Sequence, residues 1–215
     1  MSKQQIRHII EQHSQRDGLT ETGIKGVQLF QATSAIPCVP AVYEPCVIAI
    51  VSGAKEAVLD GKRYVYDDSR YMCCPMSMPV KAGTPSASPQ TPLYGVLIAL
   101  DARLMAELSL EMESAGNLIP PAPGDLRAEG IKLAAWDDAF SDALLRLLQL
   151  GQSETDRAVL SDARLRELYY AILKGEAGVF ARRAFGAGNA VARAISHVAA
   201  HLDAPISIDD MAQRA

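Results

Sequence analysis

Histidine is missing from the middle of this 215-residue chain: none occurs between Gly18 and Ser196. No imidazole there can ligate a metal or serve as general base, which excludes His-based zinc sites and nucleophile–His pairs from that stretch. Cysteine is sparse and badly spaced for metal, since Cys38, Cys46, Cys73 and Cys74 make no Cys-x-x-Cys pair. His197 and His201 stand four apart, but Val198, Ala199 and Ala200 between them lack the glutamate of H-E-x-x-H, so they read as helix-surface residues. No glycine-rich phosphate or dinucleotide motif occurs. No apolar run approaches the roughly 18 residues of a membrane span. The opening MSKQQIRHIIEQHSQRDG lacks the apolar core of a secretory leader. The net charge of −4 argues against strong nucleic-acid binding by this chain alone. The expectation is a reduced, cytoplasmic protein with no metal, no cofactor and no membrane partner.

What is present is an ordinary soluble composition, 49% hydrophobic and 21% charged, at a length that suits one medium domain or one domain and part of a second. Residues 3 to about 16 have helical period, and IKGVQLFQ reads as a first strand. From Ile36 to Leu100, short runs rich in Val, Ile and Tyr alternate with Pro, Gly and Asp clusters, the pattern of several short strands and tight turns. Asp60-Gly61 predicts a two-residue type I′ hairpin turn, because both central residues need positive φ. Pairing across it sets Val58 opposite Arg63 and Ala57 opposite Tyr64; neither face is cleanly apolar, so the pattern leaves the buried face open. Residues 81–92 read as a loop, Asp101 as the N-cap of ARLMAELSLEME, and residues 117–130 as a Pro/Gly loop. Residues 131–150 predict the strongest helix, stopped by Gly151; a second runs from about Thr155, or from a Ser161 cap, to Lys174. Gly186-Ala187-Gly188 reads as a linker.

Two stretches carry a family resemblance. Tyr43, Glu44, Pro45, Gly53, Lys55, Gly61, Tyr66, Asp67, Pro79, Leu100 and Asp101 match, in order, the sensor domain of one branch of the AraC-type transcription regulators; RELYYAILKG resembles its closing helix. In the tail, Pro205, Ser207, Ile208, Asp210, Met211 and Ala212 resemble the opening of the AraC-type DNA-binding domain. The resemblance implies an α+β fold: a cupin-like (jelly-roll) β-barrel, then an antiparallel helical hairpin, then a truncated all-α helix-turn-helix start. It implies a sensing and dimerisation domain over 1–180, a linker over 181–189 and the first residues of a DNA-binding domain over 190–215, its core at Ile195, Ile208, Met211 and Ala212. The full-length protein would bind DNA, while this chain stops before a recognition helix; residues 190–215 sum to −1 and offer no basic face for phosphate.

Metal-binding cupins resemble G-x5-H-x-H-x3-4-E, whereas Gly53 here precedes AKEAVLDGKRYVYD, which points to a sensor rather than an enzyme. The pocket candidates are Tyr43, Glu44, Tyr64, Tyr71 and Cys73: tyrosines give an apolar wall a polar handle, and a thiol at a pocket can sense oxidants. Cys73 and Cys74 are adjacent on a strand, so one faces in and the other out. The apolar stripes Trp136, Phe140, Leu144, Leu147 and Leu165, Leu168, Tyr169 are candidates for a two-fold interface, because the family commonly dimerises through helices here; they serve equally to cover the barrel. The partners implied are an unknown small-molecule effector and a second copy. The alternatives are a metal-independent cupin isomerase or lyase, and a regulator switched by thiol oxidation or by a protein partner.

Overall fold

The structure is a computed structural model that describes residues 2–14, 16–117 and 130–185. Ten antiparallel strands form one curled sheet: β1 (Gly18–Glu21), β2 (Val27–Ala32), β3 (Ile36–Tyr43), β4 (Cys46–Ser52), β5 (Ala54–Leu59), β6 (Lys62–Asp67), β7 (Arg70–Cys74), β8 (Met78–Thr84), β9 (Leu93–Ala99) and β10 (Lys132–Ala135). Their order is β1-β2-β9-β4-β7-β6-β5-β8-β3, with β10 added to β7. The sheet curls into a half-barrel, since β1 and β3 end the path without pairing to each other.

Strand alternation divides the interior in two. Val27 and Leu29, Val47 and Ala49, and Val96 and Ile98 point to the convex side, under helices α1 (Ser2–His13), α2 (Ala102–Ser114), α3 (Asp138–Gln149), α4 (Glu154–Lys174) and α5 (Gly178–Phe185). Phe30, Ile48, Ile50, Ala57, Tyr64, Tyr66, Met72 and Val80 point to the concave side and make a second core. Period-2 alternation is what allows one sheet to serve both.

The Asp60-Gly61 hairpin forms as the sequence predicts. Asp60 has φ 49° and Gly61 φ 79°, and Val58 pairs with Arg63, Ala57 with Tyr64. The concave side takes the Ala57/Tyr64 face, while Arg63 and Glu56 form an exposed ion pair on the other.

Four expectations need correction. Residues 132–135 are not helical; they pair with β7 as a strand, and α3 starts at Asp138, where Asp137 caps it by accepting from the Phe140 amide at 2.7 Å. The pairing edge of β7 satisfies four residues that helical period would otherwise claim. The loop read over 81–92 begins later, because β8 runs through Thr84. Helix α4 is capped by Ser153; Ser161 lies inside it and bonds back to the Arg157 carbonyl. Helix α5 continues packed structure to Phe185, into the stretch read as linker, burying Ala181, Arg182 and Phe185. Asp101 caps α2 as expected, accepting from the Arg103 and Leu104 amides at 2.9 and 3.1 Å.

Candidate functional site

The concave face is built mainly by β3–β8. Each odd or even series points one way, so one register step selects the lining. On β3 the inward residues are Ala41 and Tyr43, on β6 Tyr64 and Tyr66, on β8 Met78, Val80 and Ala82. Deep in this face the Tyr43 and Tyr66 hydroxyls are 2.9 Å apart, and Tyr66 has no exposure. Burial pushes the Tyr43 phenol up to about 12 and that of Tyr66 well above its ordinary 10.0, so at neutral pH both are protonated and one donates to the other. Cys46 on β4 pairs with Cys74 on β7 and both thiols join the same core; burial raises Cys46 to about 12 and Cys74 to about 11. Thiols held protonated in this way are poor nucleophiles. Among the described residues no three His, Cys, Asp or Glu side chains come together as a metal site. The concave side is therefore an apolar core in which two buried phenol hydroxyls satisfy each other.

A second concavity, of about 600 Å³, lies outside the barrel between α2 and α4. Its floor is Tyr169, whose hydroxyl donates to the Ala99 carbonyl at 2.6 Å, and its wall is Arg166, which ion-pairs with Glu107 and Glu111. These charges already satisfy one another.

Residues 23–180 match the family described as the AraC-type transcriptional regulator N-terminus. The chain belongs to the AraC-type transcriptional regulators. This regulator domain is also similar in structure to ToxT of Vibrio cholerae, at 9% identity and a TM-score of 0.50, over 87% of this chain and 69% of that one. ToxT of strain O395 bound to (E)-4-(8-methylnaphthalen-1-yl)but-3-enoic acid matches at 13% identity and a TM-score of 0.50, over 88% of this chain and 71% of that one. At such identities the likeness establishes the fold, a cupin-like half-barrel with helices. No curated protein is matched.

The regulator's fold separates the pocket candidates. Tyr43 and Tyr64 line the concave face. Glu44 is exposed at the rim, where its carboxylate accepts from the Ser77 hydroxyl. Tyr71 and Cys73 lie on the opposite side of β7, in the core beneath the helices, where Tyr71 stacks on Phe140 at 4.2 Å. Alternation along β7 is the reason: Met72 and Cys74 take the concave side and displace Tyr71 and Cys73 from it.

The residues expected at a dimer interface also point inward. Phe140, Leu144, Leu147 and Leu168 have no exposure, Tyr169 and Leu165 are buried, and Trp136 packs edge-on against Phe140 at 5.1 Å. They cover the convex side of the sheet, so they are not free to meet a second copy. Ile195, Ile208, Met211 and Ala212 lie outside the described residues. Tyr66, Cys46, Cys74, Lys55 and Thr84 were not among the expected site residues. The signal for Lys55 and Tyr66 lay in the hairpin register, which pairs them two steps beyond Ala57 and Tyr64.

Proposed function

We propose that this domain binds a small-molecule effector on the concave face of the half-barrel and conveys its occupancy to a DNA-binding domain that follows. The carrying observation is the concave side itself, an apolar lining with a buried Tyr43–Tyr66 hydroxyl pair. The family assignment supports a regulatory rather than a catalytic role. That ToxT has been obtained with a small organic acid bound supports a small molecule as effector. The domain division follows the same reading: sensor through α5, linker after Phe185, and the opening of the helix-turn-helix domain from 190. The intact protein works in the cytoplasm, binding DNA as a dimer. An effector acts only through different affinities for two arrangements of sensor and DNA-binding domain, shifting their populations.

Self-association belongs to the outer face of α4, where Val159, Ala163 and Tyr170 stand exposed at spacings of four and seven. Val159 is 71% exposed and Tyr170 43%. An exposed apolar stripe on a helix is the ordinary material of a two-fold interface.

The test is a thermal-shift screen of a small-molecule library against the domain. A ligand at 100 times its dissociation constant adds about 2.7 kcal/mol to stability. Hits that also change operator affinity of the full-length regulator support the reading; a library that stabilises nothing, on a well-folded domain, refutes it.

A further inference from the structure

Helix α5 lies against α2 and α4 and is held at its two ends by unlike contacts. At its start, the Glu176 carboxylate accepts from the amide of Ala135, the last residue of β10, at 2.8 Å. The same carboxylate lies 3.8 Å from the guanidinium of Arg70, which pairs with Ala135 across β7 and β10. Gly178 then packs so closely on α4 that a side chain there would enter the Leu173 carbonyl group. Ala177 and Ala181 have no exposure, so packing and hydrogen bonding together fix this end. At the other end stands Arg182, only 3% exposed. It donates to one residue alone: from Nη1 to the Asn117 side-chain oxygen at 3.1 Å, and from Nη2 to the Asn117 carbonyl. Its Nε has no partner, and among the described residues no carboxylate pairs with it.

A buried cation costs stability unless it is paired and its N–H groups are satisfied. Arg182 has two neutral oxygens and the carbonyl end of α2, so this end of α5 is the weaker one. Asn117 also stands where two parts of the domain meet. Its amide donates to the Met112 carbonyl at 2.9 Å and closes α2. The next described residues along the chain, Gly130 and Ile131, belong to the concave side: Ile131 is 1% exposed in that core, and Gly130 abuts Met78.

We propose that Arg182 and Asn117 are a latch: positioning residues whose contact holds α5, and the domain that follows it, in one of the two arrangements between which an effector selects. The latch rests on the regulatory reading above and names the element that changes place. Latched, α5 lies across α2 and α4. Released, it swings about the turn at Gly175–Gly178, with Glu176 still on the edge of β10. The pair suits a switch because its contact is strong enough to hold a helix end and lacks the counter-charge that would make it permanent.

The test is amide hydrogen exchange on the 215-residue chain and DNA binding by the full-length regulator, with Asn117→Ala and Asn117→Asp. Asn117 is exposed, so neither substitution disturbs the core. N117A takes an acceptor from the buried cation, and the amides of 181–185 exchange about tenfold faster; N117D supplies the missing counter-charge, and they exchange about tenfold slower. The sign in N117D is diagnostic, because a carboxylate at the C-terminal end of a helix is otherwise unfavourable. Amides of β4 and β9 keep wild-type protection in both variants. In an Arg182→Met background N117D slows nothing. The DNA probe is a duplex selected from random sequence by the wild-type full-length regulator. N117A and N117D shift its affinity in opposite senses and stand at least about threefold apart, since apparent affinity follows the competent fraction; a contact serving stability alone would not do this. Unchanged exchange in both variants, faster exchange in N117D, or slowing by N117D without Arg182 overturns the latch. Opposite exchange shifts with equal DNA affinity also overturn it and leave effector binding by the domain standing. If no duplex is enriched, the regulatory reading fails and the latch with it.

Discussion

The buried hydroxyl pair makes a quantitative prediction. Tyr66 has no exposure, and its hydroxyl contacts that of Tyr43, which is 9% exposed. In Tyr43→Phe the Tyr66 hydroxyl keeps neither partner nor solvent. The lost bond and the stranded group together cost about 2 kcal/mol. In Tyr66→Phe the stranded hydroxyl is that of Tyr43, which retains some access to water, so the cost is about 1 kcal/mol. In the double variant both hydroxyls are gone, nothing is stranded, and the cost is about 1 kcal/mol or less. The coupling from this cycle is then about 2 kcal/mol, inside the range for residues in direct contact. The assay is equilibrium urea unfolding followed by far-UV circular dichroism, with the denaturant slope checked for constancy. In a thermal scan Tyr43→Phe lowers the midpoint by about 4–8 °C, given about 2–4 °C per kcal/mol at this size. Strictly additive costs, or a Tyr43→Phe variant as stable as wild type, would refute the claim that each hydroxyl depends on the other.

Stability should fall as pH rises above about 9. The folded pKa values of Cys46 (9.0 to about 12), Cys74 (9.0 to about 11) and Tyr43 (10.0 to about 12) lie above their ordinary values, so the folded state holds these protons longer. Their contribution is full below the unfolded value and is lost as pH rises toward the folded one. Urea midpoints from pH 8 to 11 check this, and the decline should be shallower in Cys46→Ala. Leu144→Asp, which places a charge in a fully buried position, should abolish folding rather than merely dissociate a dimer; Val159→Asp should leave the melting temperature within about 1 °C and reduce self-association in sedimentation. Gly83→Ala should loosen the β3 edge, because its Cβ would stand 2.6–2.7 Å from the backbone of Ile36, Pro37 and Cys38; protection of β3 amides from hydrogen exchange reports it.

Much of the fold was legible because its signals are local. The hairpin at Asp60-Gly61 was readable from two residues whose backbone preference selects one turn. Asp101 was readable as a cap because a carboxylate there meets free amides whatever surrounds it. The site was less legible. Tyr43 and Tyr64 fall on the concave side, while Tyr71 and Cys73 fall on the other, since β7 reads RYMCC and is apolar on both faces. A strand buried on both sides carries no alternation from which to choose a face.

Taken by itself, the chain determined that its central stretch holds no imidazole, that a hairpin turns at Asp60-Gly61, and which family it resembles; each of these depends on residue identity or on neighbours a few positions away. The tertiary structure alone decided which face of each strand looks into the half-barrel. It decided that residues 132–135 pair with β7 instead of starting a helix, and that the stripes at Phe140 and Leu168 cover the sheet. It also decided that β5 and β8, more than twenty positions apart in the chain, lie side by side, with Ala57 opposite Ala82. These outcomes turn on pairing register and on competition for buried area between distant segments. Neither quantity is written in any local run of residues, and a shift of one position would reverse the inward and outward faces of a strand.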